Sequence, residues 1–168
     1  VLPEIFKKFK YKNIWQSPRL SKVVINVGIS SSNKDPKFIE TVEQTLQRIT
    51  GQKPLKTLSR LSISNFKIRK GQVVGMKVTL RGRRMYDFVD KLINIALARI
   101  RDFRGISPKS IDKNGNLNIG FKEHIVFPEI KSDEVEKIHG LEVTIVSTAK
   151  NREEGYELFK LLGFPFSK

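Results

Sequence analysis

The stretch between Glu43 and Asp87 contains no acidic residue, although its 43 positions include 11 lysines and arginines. Protein surfaces ordinarily mix positive and negative side chains, because unrelieved like charge repels itself. A segment of this length without a carboxylate therefore indicates a partner that carries many negative charges. We interpret the rest of the chain as the scaffold that presents this segment.

The charge of the whole chain is distributed in the same uneven way. The 168 residues carry a formal net charge of +15. Residues 1–86 contain 19 basic and 4 acidic residues, whereas residues 87–168 contain 13 of each. A hydrophobic content of 39% with 11 phenylalanines excludes a disordered basic tail and suffices for one domain with a core. The composition favours a folded protein that meets nucleic acid or an anionic membrane.

Several classes of protein are excluded or disfavoured by what the sequence lacks. Without cysteine, disulfides, thiolate zinc sites and a cysteine nucleophile are excluded. No apolar run approaches the roughly 20 residues of a membrane span. A membrane-surface protein would place its bases on an amphipathic helix, whereas the acid-free segment has the pattern of strands and loops.

Alternation of apolar and polar residues predicts strands at 22–27, 73–81 and 141–148, with a short strand at 54–59. In the first two strands the residues opposite the core are polar, basic and free of aromatic rings. These residues are Lys22, Asn26, Lys77, Thr79 and Arg81. An RRM would place stacking aromatics on such a face, so this face is better suited to phosphate and sugar contacts with a folded RNA.

Helices alternate with hairpins along the chain. Helical spacing predicts a short helix at 2–9, a helix from Pro36 to a stop at Gly51, a long helix at 84–103 and a last helix capped by Asn151. Asn114-Gly115 predicts a type I′ hairpin turn. The predicted class is α+β, a single domain over residues 1–168 with a mostly antiparallel sheet, helices packed on one face and a basic projecting loop at 62–75.

Two of these segments allow two interpretations each. The first helix is either a surface helix docked by its phenylalanines or a direct RNA contact. Residues 62–75, rich in Ser, Lys, Arg and Gly around Phe66, form either two further strands around a loop or a mobile arm. Phe66 itself could stack on RNA or anchor the loop to the domain.

No constellation in the sequence supports catalysis. His124 and His139 are the only histidines and have no metal-ligand cluster near them, so we predict structural roles for both. The glycines at 71–77 lack the ending of a P-loop, and the residues around Asp112 lack the glycine and terminal glutamate of a calcium loop. The sequence predicts no catalytic residue, no metal and no cofactor. A nucleic-acid enzyme or its accessory domain would need acids near the basic segment.

Seven short segments carry a resemblance to a known family. They are SPRLSKVVINVG (17–28), GQKPLKT (51–57), NFKIRKG (65–71), GMKVTLRGRRM (75–85), RIRDFRG (99–105), VFPEI (126–130) and GFPF (163–166). Each is weak alone, but together and in this order they are highly specific and extend along essentially the whole chain. The chain resembles the bacterial-type large-subunit ribosomal protein that binds 5S ribosomal RNA, family five of the standard series.

The resemblance implies a non-catalytic RNA-binding protein of the ribosome's central protuberance. In that family a patch on the sheet recognises 5S rRNA, and the matching positions here are Asn26, Gln52 and Thr79. The basic residues flanking them, as plausible phosphate contacts, are Arg19, Lys22, Lys53, Lys77 and Arg81.

The resemblance also implies further partners. The family projects a loop toward the elbow of the peptidyl-site tRNA, which corresponds here to residues 62–75, with Phe66 at the tip and Lys67, Arg69 and Lys70 for phosphates. Other implied partners are large-subunit rRNA, neighbouring large-subunit proteins and a small-subunit head protein. Neither a membrane nor a homo-oligomer is implied. The expected location is the ribosome, in the bacterial cytoplasm or an organelle matrix.

Overall fold

Five strands occur in the computed structural model, which describes residues 2–29, 35–131 and 137–167. The segment SSSNKD (30–35), whose composition predicts a loop, falls mostly on residues 30–34, outside those ranges. Within those ranges no helix is long and apolar enough to cross a bilayer. The strands are β1 (Leu20–Gly28), β2 (Leu55–Leu58), β3 (Val73–Leu80), β4 (Leu117–Phe121) and β5 (Leu141–Ser147), and the α-helices are α1 (Leu2–Phe9), α2 (Pro36–Thr50), α3 (Gly82–Lys91) and α4 (Arg152–Leu161).

The five strands form one antiparallel sheet in the order β2-β3-β1-β5-β4. This sheet, with the four helices of the described ranges, confirms the predicted α+β class. The strands β2 and β4 are its edges. By proximity the chain divides into two compact units: the first comprises Val1–Val23, Arg81–Ile119 and Val143–Lys168, and the second comprises Val24–Leu80 and Gly120–Glu142.

The core of the second unit contains the apolar residues of β1, β3 and α2. On the strands, the buried residues occupy every second position or nearly so, as the pleat requires. They are Ile25 and Val27 of β1 and Met76, Val78 and Leu80 of β3. On α2 they recur at helical spacing as Phe38, Val42, Leu46 and Ile49. Helical spacing from Val42 and Leu46 predicts Ile39 in this stripe as well, but Phe38 is buried there and Ile39 is only half-buried.

Both ends of α2 have the predicted caps. The Asp35 carboxylate accepts a hydrogen bond from the Lys37 N–H at 3.1 Å, and Pro36 occupies the first helical position, where its missing N–H costs nothing. Gly51 ends the helix at φ +66° and donates its N–H to the Gln47 carbonyl. The chain therefore turns sharply after Gly51 and runs directly into β2.

The helix predicted at 84–103 is shorter than expected. The α-helical part ends at Lys91, and π-helical Leu92–Ala96 and a 3₁₀ turn at Leu97–Arg99 follow. The wider π turn rotates the residues after it relative to an α-helical pattern. Helical spacing predicts Ile95 on the buried face with Phe88 and Leu92, but Ile95 is 43% exposed and Leu97 is buried instead.

The two histidines form a buried stack in the second unit. Their rings lie 4.0 Å apart and nearly parallel, and the His139 N–H donates to His124 Nδ1 at 3.2 Å. Burial lowers the pKa of His139 to about 4, and the charge of a protonated His124 acts in the same direction. Burial likewise lowers the pKa of His124. Two neutral stacked rings in a core agree with the predicted structural roles.

The hairpin before β4 lies where the sequence placed it, but its turn is not type I′. A type I′ turn needs positive φ at two successive residues. Of Asn114 and Gly115, only Gly115 has a positive φ, at +75°. The Gly115 N–H donates to the Asp112 carbonyl, while Asp112 Oδ1 accepts the N–H groups of Asn114 and Asn116. This pattern matches a tight turn followed by a left-handed glycine, stabilised by the aspartate side chain.

Gly155 of α4 allows this turn to approach the helix within the first unit. A Cβ atom at Gly155 would lie 2.5 Å from the Gly115 Cα and 2.6 Å from its carbonyl oxygen. Backbone atoms of the turn occupy the space that any side chain would need. The glycine is therefore required by packing, although it weakens the helix locally.

Gly155→Ala should lower the thermal midpoint of unfolding. Alanine in a helix normally stabilises by up to about 1 kcal/mol, but here overpacking should reverse the sign and cost roughly 1–3 kcal/mol. Calorimetry on the purified protein measures the shift. Gly120→Ala on β4 is the control, because no atom lies within 4 Å of a Cβ there. A higher midpoint for Gly155→Ala would contradict the close approach.

Candidate nucleic-acid interface

The sheet surface of the second unit that faces away from α2 is polar, and we call it the open face. It consists of Asn26 on β1, Leu55 and Thr57 on β2, and Gly75, Lys77 and Thr79 on β3. Asn26 and Lys77 are exposed and flanked by buried residues, as strand alternation requires. The placement predicted for Asn26, Lys77 and Thr79 is thus found in the structure.

Two residues of the open face were missed by the sequence interpretation. The β2–β3 register pairs Leu55 with Lys77 and Thr57 with Gly75. Directly paired residues of antiparallel strands project from the same face, so Leu55 and Thr57 belong to it. Leu55 is 63% exposed. The odd-numbered spacing of Lys53, Leu55 and Thr57 was the available signal, but it fixes no face until the register is known.

Gly75 lets β3 pack closely between β1 and β2 on the open face. A Cβ atom there would lie 2.8 Å from the Val27 carbonyl oxygen and 3.1 Å from Thr57 Oγ1. Gly75 is itself buried, so these neighbouring atoms already fill the space that a side chain would need. Amide and hydroxyl groups can donate to and accept from ribose 2′-OH groups and base edges, so the face has the chemistry for a folded RNA.

Gln52 follows the end of α2 and hydrogen-bonds both to that end and to Thr79. Its N–H donates to Thr50 Oγ1 at 3.2 Å, and Thr50 in turn donates to the Leu46 carbonyl. The Gln52 side-chain amide donates to the Thr79 carbonyl at 3.4 Å. Gln52 and Thr79, 27 positions apart in sequence, are therefore neighbours in space.

Glu43 of α2 partly neutralises two lysines of the acid-free segment. Its carboxylate lies 2.8 Å from Lys56 Nζ and 4.0 Å from Lys53 Nζ. The hydrogen bond from Lys56 holds the pKa of Glu43 below its usual value, and the charges of Lys56 and Lys53 act in the same direction. Lys56 pairs with buried Met76 in the β2–β3 register, so it lies on the α2 side of the sheet.

The other three predicted phosphate contacts belong to the first unit. Arg19 immediately precedes β1, and its N–H donates to Thr148 Oγ1 at 3.0 Å. Lys22 is half-buried within β1, on the side of the alternation opposite Val23. Arg81 is exposed and occupies the N-cap position of α3.

Residues 59–72 form a narrow hairpin extension between β2 and β3, which we call the arm. The Ser59 N–H donates to the Gln72 carbonyl and the Gly71 N–H donates to the Ser59 carbonyl, while Ile63 and Ile68 pair reciprocally. A 3₁₀ turn at Ser64–Phe66 and a left-handed Lys67 form the tip. The arm is therefore neither two full strands nor an unstructured loop, and the last three residues of the predicted loop belong to β3.

The tip of the arm exposes its aromatic ring and its bases. Phe66 is 63% exposed. Beside it, the residues Ser62, Ser64, Lys67, Ile68, Arg69 and Gln72 line an open groove of about 810 Å³. The Lys70 N–H donates to Ser62 Oγ and the Arg69 N–H to Gln72 Oε1, so backbone bonds hold the groove's shape. Among the described residues, no group of three or more His, Asp or Glu side chains could hold a metal ion.

Family comparison matches nearly the whole chain. A family described as "Ribosomal protein L5" matches residues 13–69, and a second family, described as the C-terminus of the same ribosomal protein family, matches residues 73–166. The first match contains β1, α2, β2 and most of the arm. The second begins at the first residue of β3.

Curated relatives are similar to the whole of this chain and over nearly all of their own length. A "Large ribosomal subunit protein uL5" from Halothermothrix orenii is 55% identical over 168 residues, which are 100% of this chain and 94% of the relative. Proteins with the same description from Thermoanaerobacter sp. and Mesoplasma florum are 52% and 49% identical over all of this chain, and the matches cover 94% and 93% of their own lengths.

Glu43→Gln should raise affinity for RNA, because it releases Lys53 and Lys56 from their shared carboxylate. We expect tighter binding at low salt and a salt dependence steeper by roughly 0.7–0.9 for each lysine that newly meets a phosphate. Filter binding to a structured RNA over a salt series measures both. Glu40→Gln removes the same charge from an exposed position of α2 and is the control. Equal effects of the two variants would contradict a specific role of the ion pairs.

Proposed function

Because the chain belongs to the ribosomal protein L5 family, and is thus a non-enzymatic structural constituent of the large ribosomal subunit, we propose that its open face binds 5S rRNA and that its arm contacts the peptidyl-site tRNA. Large-subunit rRNA, neighbouring large-subunit proteins and a small-subunit head protein complete the proposed surroundings. The chain acts there as a single copy and as one domain.

The observation that carries the 5S rRNA proposal is the convergence of Asn26, Gln52, Lys77 and Thr79 on one unit. Three of them offer neutral donors and acceptors, and Lys77 adds a positive charge beside them. Neutral polar groups read ribose hydroxyls and base edges, whereas charged groups position the phosphate backbone. Lys53, which follows α2, is one of the charged groups proposed to contact the phosphate backbone. The others are Arg19, Lys22 and Arg81 of the first unit.

The exposure of Phe66 supports the proposal for the arm. A ring that anchored the arm to the domain would be covered by apolar neighbours, but this ring is mostly in solvent. Rings in that setting stack on unpaired bases, and adjacent cations hold the flanking phosphates. Lys67, Arg69 and Lys70 provide these cations within the same turn of the chain.

Thr79→Ala and Asn26→Ala should abolish the preference for 5S rRNA over a hairpin RNA of equal length. We expect the unsubstituted protein to prefer 5S rRNA by about 10³ or more at physiological salt, as specific recognition typically does. Each variant should lose most of that preference while its salt slope stays nearly unchanged, because no phosphate contact is removed.

Thr41→Ala is the matched control, since its hydroxyl bonds to the Lys37 carbonyl within α2 and lies outside the open face. It should bind 5S rRNA as the unsubstituted protein does. If the unsubstituted protein bound both RNAs alike, the open face would be a simple polycation and the proposal would fail.

Phe66→Ala should weaken the contact with tRNA but leave 5S rRNA binding intact. Loss of one base–aromatic stack costs about 1–3 kcal/mol, or roughly 5- to 150-fold in affinity. Retention of peptidyl-site tRNA on large subunits reconstituted with the variant measures the loss. Leu61→Ala removes a similarly exposed aliphatic side chain from the same arm and is the control. A loss equal to that of Phe66→Ala would show that apolar area, not stacking, makes the contact.

A further inference from the structure

Trp15, the chain's one tryptophan, projects into solvent from the first unit. Its side chain is 77% exposed, the highest value among the large hydrophobic residues that are exposed. The backbone holds it there: the Trp15 N–H donates to Asn13 Oδ1 at 3.0 Å, and the Ser17 N–H donates to the Ile14 carbonyl. The ring is therefore presented by a fixed turn just before β1.

A guanidinium covers one side of this ring. The Arg19 Cζ atom lies 5.9 Å from the ring centroid, within the range of a cation–π contact. Arg19 is itself fixed, because its N–H donates to Thr148 Oγ1 and its carbonyl accepts the Thr148 N–H. With so much of the indole exposed, the opposite side of the ring is open to a ligand.

The charges around Trp15 determine which ligand fits. No acidic residue occurs between Glu4 and Asp35, and seven bases lie in that interval, of which Lys8 is paired with Glu157 of α4. Lys10 and Lys12 precede the tryptophan, and Arg19 and Lys22 follow it. A flat aromatic surface among cations matches an unpaired nucleobase with phosphates on both sides. An apolar protein surface would satisfy the ring but leave these cations without partners.

We propose that an unpaired base of ribosomal RNA stacks on the open face of Trp15, with Arg19 against the other face and its remaining N–H donors available to a flanking phosphate. This site rests on the proposed function only in requiring an rRNA partner. It shares Arg19 with the proposed phosphate contacts but uses none of the residues of the open face or the arm. Either 5S rRNA or large-subunit rRNA could supply the base, and the two sources are separable by experiment.

The single tryptophan makes the test direct, because any change in indole emission reports on this site alone. The full chain is titrated separately with 5S rRNA, with transcripts of large-subunit rRNA, and with the control hairpin. Stacking should quench the emission, saturating at the same RNA concentration as binding measured independently. Quenching by one transcript and not the others identifies the source of the base.

Substitutions separate stacking from general apolar contact. Trp15→Ala should weaken binding to the quenching RNA about tenfold, whereas Trp15→Phe should retain most of the affinity because it keeps an aromatic face. Ile14→Ala is the matched control, since it removes exposed apolar area from the same turn without removing a ring. Circular dichroism checks that each variant folds, which we expect because neither side chain is buried.

Three results would overturn the site. One is specific 5S rRNA binding with unchanged emission in every rRNA titration and full affinity of Trp15→Ala, which would assign the ring to a protein neighbour. Another is equal losses for Ile14→Ala and Trp15→Ala. The third is quenching of the same depth by the control hairpin, which would show contact with any polyanion. The first of these leaves the proposed function intact. Conversely, quenching by large-subunit rRNA without a 5S rRNA preference would support the site and defeat the open-face proposal.

Discussion

Burial of alternate residues of β1 and β3 beneath α2 determines what the open face contains. Each buried Ile, Val or Met contributes about 1.5–3 kcal/mol relative to exposure, and Ile25, Val27, Met76 and Val78 are all at most 2% exposed. A register slip of one residue would move them into solvent and is therefore strongly disfavoured. Asn26, Lys77 and Thr79, which lie between or beside these residues, are thereby fixed on the opposite face with backbone precision. The core specifies the interface without any contact between functional side chains.

Repulsion among the bases of the acid-free segment opposes this folded arrangement. The acid-free segment concentrates bases on the arm and around the start of α3. At its borders, Glu43 pairs with Lys53 and Lys56, and Asp87 pairs with Arg83. Such a field destabilises the free protein and attracts polyanions from a distance. Binding to RNA supplies the missing counter-charge, so the free protein carries an electrostatic cost that the assembled particle removes. Glu43 limits this cost at the sheet edge, where Lys56 faces away from the open face.

Local sequence patterns were sufficient to predict those features that depend on one helix or one strand alone. The caps of α2 at Asp35 and Gly51, the faces of β1 and β3, and the Asn151 cap of α4 all follow from short-range hydrogen bonding and alternation. The errors had two origins. The face of Leu55 depends on register with β3, which no local pattern gives, whereas the π turn after α3 and the turn stabilised by Asp112 are local features that helical spacing and the Asn-Gly pair did not signal. The position of Gln52 beside Thr79 had no sequence signal of its own and came only from the family resemblance.

The distribution of aromatic rings distinguishes the two kinds of RNA contact that we propose for this chain. The open face has none, and a flat surface of amides, hydroxyls and a lysine suits the backbone and shallow groove of a folded RNA, whose bases are already stacked on one another. The exposed rings of Phe66 and Trp15 occur instead on a protruding tip and on a turn outside the sheet. Stacking needs a base that has left its helix, and such a base is reached more readily by a projecting ring than by a flat sheet. In the proposed function, placing aromatics off the sheet therefore lets the chain bind paired and unpaired RNA through different residues.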